Sequence, residues 1–121
     1  MAKRRKRSPL KIAKDRAWSA FSRWVRIKSG GKCFTCENFQ PWKEMNASHF
    51  IHGKLDFDEM NINACCVRCN KWLSGNLGEY AIRLIKKYGL KAVDDLKLRA
   101  SRAVVEKRTV EEYLEIERKY K

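Results

Sequence analysis

No stretch of this chain is apolar over anything near the ~20 residues that a membrane-spanning helix needs, so no membrane crossing is expected. The basic start carries no apolar run either. Leu10 and Ile12 stand isolated among lysines, and no secretory signal is expected there. Acidic residues are also scarce. Against 28 Lys and Arg there are only 14 Asp and Glu, a formal net charge of +14 with a pI near 9.9. The chain cannot neutralise its own cations, so the counter-charge is expected from a polyanion: nucleic acid first, a membrane surface second. Merely solubilising charge is the bland alternative. No internal repeat and no second hydrophobic unit is visible, and 121 residues suit one domain.

What is present is concentrated between residues 33 and 76. Four of five cysteines form two CxxC pairs, Cys33-x2-Cys36 and Cys66-x2-Cys69. With a reducing compartment expected, paired spacing of this kind reads as a four-thiolate metal site rather than as disulfides. Zn2+ has no ligand-field preference and suits a tetrahedron of sulfurs. Such a closed site leaves no position for water, so the zinc is expected to be structural. Cys65 lies outside the knuckle spacing and reads as a small buried residue.

Around this clip the helical pattern is clear. Ser8-Pro9 suits a helix start, and Trp18, Phe21, Trp24, Val25 and Lys28 recur at three- and four-residue spacing before Gly30-Gly31. The tryptophans read as core, with base stacking the less favoured role. Ala47 to Ile51 has strand composition, and Phe39 to Trp42 reads as a strand or loop. A short helix is expected from Val67 to Leu73. Asn76 and Glu79 have capping-box spacing before a helix on Leu77, Tyr80, Leu84, Ile85 and Tyr88. Val93 and Leu96 predict a further helix to about Val105. Thr109 and Glu112 open a last one through Tyr113, Leu114 and Ile116. The block Lys3, Arg4, Arg5, Lys6 and Arg7 reads as a phosphate-binding arm in a basic flexible tail spanning 1–14, before a single domain spanning 15–121.

The residues between the cysteine pairs carry the chemistry. Phosphodiester hydrolysis needs a base for water, a group that orients the base, and a cation on the phosphate. A neutral imidazole, His49, can be the base near pH 7. Asn61 can hold its N–H, and Asn70 can bind a hydrated Mg2+ through oxygen. The competing reading of His49 is a satisfied core histidine. His52, three residues on, is expected on the opposite side of the strand as a DNA contact. Arg68 and Lys71, flanking Asn70, are further DNA contacts.

Ser48-His49, Asn61-Ile62 and Cys66-x2-Cys69-Asn70 resemble the HNH, or ββα-metal, nucleases with a zinc-ribbon clip. The longer string is more specific. Ala47 to Ile51, Phe57-Asp58-Glu59-x-Asn61, Cys66 to Asn70, Leu73 to Asn76 and Glu79-Tyr80 are similar to the phage NinG family, also called Rap. Asp15-x2-Trp18-x2-Phe21-Ser22-Arg23 fits that family's start, and the resemblance runs from Asp15 to Leu96.

The resemblance implies an α+β, mostly helical fold: a small ββα-metal (HNH) core with four-cysteine zinc knuckles, one helix before it and two or three after. It implies a metal-dependent endonuclease, using Mg2+ or Mn2+ beside structural Zn2+. Its DNA would be branched recombination intermediates such as Holliday junctions and D-loops, in the cytoplasm of a bacterial host. His49 would be the general base. Asn61 would orient it or brace the loop, and Asn70 would hold the catalytic cation. A two-fold junction would suit a homodimer. One departure stands out: many HNH enzymes carry Asp before the histidine, where this chain has Ser48. Asp56, Asp58 and Asn76 are candidate second ligands, with loop and helix-cap roles as their alternatives. A non-catalytic zinc-ribbon DNA-binding protein is the second reading. A zinc-knuckle adaptor is the third, and it leaves the charge unexplained.

Overall fold

The computed structural model describes residues 6–102 and 107–121. Helix α1 (Pro9–Lys28) starts as its sequence signals require: Ser8 Oγ accepts from the Lys11 N–H at 3.2 Å, and Pro9 opens the first turn. Residues 9–14, placed with the flexible tail on charge alone, therefore belong to α1. Its buried stripe is Ala13, Ala17, Phe21 and Val25, a strict four-residue repeat. The helix ends where Gly30 and Gly31 take positive φ values of 65° and 87°. A side chain at Gly31 would collide with the Gln40 carbonyl. That close approach lets the first knuckle fold back against the helix end.

The chain then makes a Lys32–Phe39 bridge and a 3-10 turn at Trp42–Glu44, so no strand forms over Phe39 to Trp42. Strands β1 (Asn46–His49) and β2 (Ile62–Cys65) pair antiparallel, with Asn46 opposite Cys65 and His49 opposite Ile62. Arg68–Trp72 forms one π-helical turn in place of the ordinary short helix expected there. Helices α2 (Leu77–Tyr88), α3 (Leu90–Arg102) and α4 (Val110–Tyr120) follow. The extension of α3 towards Val105 lies outside the described residues. Among the described residues no helix is long and apolar enough to cross a membrane.

The result is a mostly helical α+β fold around one small sheet. α4 returns along α1: Tyr113 is buried with Ala13 and Ala17, and Arg16 Nε meets Glu117 Oε2 at 2.9 Å. At the other end of α4, Tyr120 packs 4.8 Å from Phe21 between ring centroids. The Thr109 capping box forms as its spacing requires, with both reciprocal bonds present. α2 inserts Tyr80 and Leu84 into the core beside the hairpin.

The cap expected at Asn76 does not form. Asn76 is left-handed, with φ 47° and ψ 50°, and its side chain makes no cap bond. Its amide points at Cys69 Sγ instead, 3.7 Å away.

Candidate functional site

The two CxxC knuckles meet at one end of the hairpin. Cys33, Cys36, Cys66 and Cys69 bring their sulfurs within 4.8 Å of one another, and Cys36 and Cys66 Sγ are 3.7 Å apart. A tetrahedron with Zn–S bonds of ~2.3 Å has sulfur edges of about 3.8 Å, so the four cysteines could bind a zinc ion. The surroundings suit thiolates. Cys33 Sγ receives the Cys66 N–H at 3.3 Å, and Cys66 Sγ receives the Cys69 N–H at 3.5 Å.

Hydrogen bonding from Cys65, helped by Thr35 and the N–H groups of Cys36 and Cys66, draws the Cys33 thiol down to about 2 against the cost of burial. Burial instead pushes Cys36 up to about 12. A dication at the centre would favour the ionised form of all four thiols. Cys65 is fully buried, and its hydrogen bond to Cys33 together with burial raises its thiol far above the ordinary range. It stays protonated and serves Cys33 as a neighbour, which accounts for the fifth cysteine.

At the other end of β1 sits His49. Its ring stacks on Trp18 of α1, 5.3 Å between centroids with 21° between planes. Nε2 lies 3.3 Å from Asp56 Oδ1. A proton on Nε2 facing that carboxylate leaves Nδ1 as the free lone pair. Burial holds the imidazole below its ordinary 6.5; Asp56 raises it, and His52 lowers it further. The ring is therefore neutral at pH 7, as a base must be. NMR titration of His49 should give a midpoint below 6.5, and the Asp56→Asn variant a lower one still, because the remaining influences both favour the neutral ring. A midpoint above 6.5 would remove the neutral base. The unfolded chain takes up this proton more readily than the folded one. The stabilisation linked to His49 is thus full above 6.5 and is lost as pH falls through the folded value.

Near His49 one expectation changes and two open alternatives are decided. β1 ends at His49, so strand alternation does not reach His52, whose ring lies 5.4 Å from that of His49 on the same side. Asn61 makes no bond to His49. It is fully buried, its Oδ1 accepts from the Ile51 N–H at 2.8 Å, and its amide donates to the carbonyls of Ile51, Lys54 and Leu55. It braces the loop that carries Asp56, the second of the two roles open to it. Asp58 is also committed to the chain: Oδ1 accepts from the N–H groups of Met60 and Asn61, and Oδ2 from Arg99 at 2.9 Å.

Asn70 lies on the π-helical turn, a distortion that recurs at functional sites. Its Oδ1 accepts from Ser48 Oγ at 2.9 Å. Ser48, one residue before His49, thus faces Asn70 directly. Tyr80 fixes this arrangement from α2: its hydroxyl donates to the Ser48 carbonyl at 2.8 Å and accepts from Asn63 Nδ2 at 3.1 Å. Burial, first among the causes, raises the Tyr80 hydroxyl, which keeps its proton.

Sequence pattern placed Tyr80 and Trp18 in the core and missed their polar and stacking roles. Their signals in the sequence were an apolar stripe and a place in the family strings, and neither indicates those roles. Of the expected DNA contacts, Lys6, Arg68, Lys71 and His52 are exposed. Arg7 folds back on Asp15 at 2.8 Å. Lys3, Arg4 and Arg5 lie outside the described residues.

Fold and site together define a basic, mostly helical α+β protein with a four-thiolate knuckle and a polar His–Asp–Ser–Asn group on its hairpin. The chain belongs to the NinG family: the family model described as Bacteriophage Lambda NinG protein matches residues 1–121. It is 43% identical over 92 residues to Protein ninG of Escherichia phage 933W, covering 73% of this chain and 44% of that protein. To Protein ninG of Salmonella phage P22 it is 40% identical over 68 residues, covering 53% and 33%. To Protein ninG of Escherichia phage lambda it is 38% identical over 92 residues, covering 73% and 43%. In each case the match spans less than half of the relative's length. No solved structure matches.

Proposed function

We propose that this chain is a metal-dependent DNA endonuclease of HNH type, with Zn2+ holding the hairpin and a separate Mg2+ or Mn2+ meeting the scissile phosphate. The carrying observation is His49: a partly buried imidazole, neutral at pH 7, clamped between Trp18 and Asp56, with no hydrogen bond to Nδ1 among the described residues. Core histidines are satisfied at both nitrogens more often than poised at one.

In this reading Nδ1 takes a proton from the attacking water. Asp56 holds the tautomer and favours the imidazolium that forms. The cation belongs at Ser48 and Asn70. Their side-chain oxygens, 2.9 Å apart, would hold it. Both are neutral, so the cation would keep most of its water and take its charge compensation from the phosphate. The serine where many relatives of the HNH class carry aspartate then means a weakly held cation. When bound, that cation polarises the phosphate and stabilises the leaving oxygen.

The preference for branched recombination intermediates, Holliday junctions and D-loops among them, rests on the family resemblance, as does action in the cytoplasm of an infected bacterium. A homodimer would match a two-fold junction. The test is cleavage of linear duplex, flap, D-loop and four-way junction with Mg2+ or Mn2+. Branched substrates are expected to be cut faster than linear duplex. Equal rates on all four would reject branch selection and keep the nuclease. DNA binding without cleavage under any divalent cation would establish the non-catalytic zinc-ribbon reading.

A further inference from the structure

Away from His49 the molecule has a cleft of about 420 Å³ between the end of α1, the first knuckle and α2. That volume is within the ~300–1,000 Å³ of sites for small organic molecules, and it fits one nucleotide rather than a double helix. Its walls include the rings of Trp24 and Phe34, and its rim carries Lys28, Lys32, Lys86 and Lys87.

Two of these lysines rest on the rings: Lys28 Nζ is 4.7 Å from the Trp24 centroid and Lys87 Nζ 5.9 Å from that of Phe34. Among the described residues no carboxylate pairs with Lys28, Lys86 or Lys87. The nearby Glu37 is taken by Arg83 and Lys32, and Glu59 accepts from the Tyr120 hydroxyl. Asn63, buried on β2, also lines the cleft. Its amide donates to the Met60 carbonyl and the Tyr80 hydroxyl, while no group among the described residues donates to its carbonyl oxygen.

We propose that this cleft binds an unpaired DNA nucleotide, with its base against Trp24 and Phe34, its edge on the Asn63 carbonyl, and its phosphate on the lysine rim. The proposal rests on the reading of the chain as a DNA-processing protein. Aromatic faces and unpaired cations are the two components of single-strand binding. A lysine resting on a ring gains little there, whereas a nucleotide supplies a base for the ring and a phosphate for the ammonium. Trp24 lies six residues beyond Trp18, about 9 Å along α1 at ~1.5 Å per residue, on a face turned about 120° away. Adjoining nucleotides of one strand can span that distance. A branch point supplies unpaired nucleotides next to duplex, so the cleft would select a flap or D-loop beside the cutting site.

The test uses the full chain with zinc and no other divalent cation. Thymidine 5′-monophosphate and short oligothymidylate are added, and amide and ring shifts are followed by NMR. Shifts centred on Trp24, Phe34 and Asn63 are expected. The double variant Lys86→Glu, Lys87→Glu alters only exposed side chains. It should weaken oligothymidylate binding by about tenfold or more and flatten its salt dependence by about 0.7 per lost phosphate contact, with blunt duplex much less affected. Shifts confined to other residues, or an equal loss on oligothymidylate and duplex, would overturn the cleft. Cleavage is scored separately. A chain that binds oligothymidylate here but never cuts DNA would end the nuclease reading alone; one that cuts normally without cleft shifts would end this proposal alone.

Discussion

The His49→Ala protein is expected to lose Mg2+- or Mn2+-dependent DNA cleavage by about 10²–10⁴-fold, the usual contribution of a positioned base. Zinc content and fold should survive. His49 stands at the last residue of β1, and its ring contributes one stacking face to Trp18 rather than a central part of the core. Asn61 and Asp58 brace the neighbouring loop independently of it. The measurement is initial cleavage rate on branched DNA beside zinc stoichiometry and thermal melting. Cleavage at the wild-type rate by a folded His49→Ala protein would eliminate His49 as base. The acid limb of the wild-type rate profile should fall below 6.5, since burial, the dominant influence, favours the neutral ring.

The largest effect on stability is expected from the zinc clip. Structural zinc in small domains contributes about 10–16 kcal/mol to folding, as much as the ~5–15 kcal/mol by which a whole domain is stable. Stripping the metal with a chelator, or changing Cys69→Ser, should therefore abolish cooperative melting of the hairpin region. Cys65→Ala is the control. Cys65 points into the core and keeps its proton, so that variant should retain one zinc per chain with only the modest loss of a small core truncation. Zinc measured at zero in wild type, or lost equally in Cys65→Ala and Cys69→Ser, would reject the assignment of ligands.

A loss of zinc would also reach the His49 site. The N–H of Phe34, in the first knuckle, donates to the Ala64 carbonyl at 2.9 Å, and Asn70 follows Cys69 directly. Ser48 and Asn70 meet only because β1 and the π-helical turn are held against each other. The cysteine cluster and the His49 group are thus mechanically one unit.

Much of this molecule follows from spacing along the chain. Two CxxC pairs define a four-sulfur site because each turn brings its own two sulfurs together, whatever the rest of the fold does. Ser8-Pro9 and the Thr109 capping box start their helices through bonds three residues long. The stripe Ala13, Ala17, Phe21, Val25 buries because a helix repeats every 3.6 residues. Charge is a sum and needs no fold at all, so the expectation of a polyanionic partner rests on composition alone.

The site itself was legible only in its membership. His49, Asn61 and Asn70 were recognised as polar residues inside the zinc frame, but their partners were not. Asp56 reads as one acid in a loop; only the closure of residues 50–61, tied by four bonds from Asn61, swings it to His49. Asn76 matches a capping box in sequence, yet the Cys69 sulfur 3.7 Å away competes successfully for its amide. Trp18 and Tyr80 look apolar in a helical pattern, and packing alone decides that one stacks on the imidazole and the other hydrogen-bonds to Ser48. Short-range bonds are chosen by local spacing and survive in the sequence. Partners distant along the chain are chosen when α1, the hairpin and α2 pack together, and no periodicity records that choice.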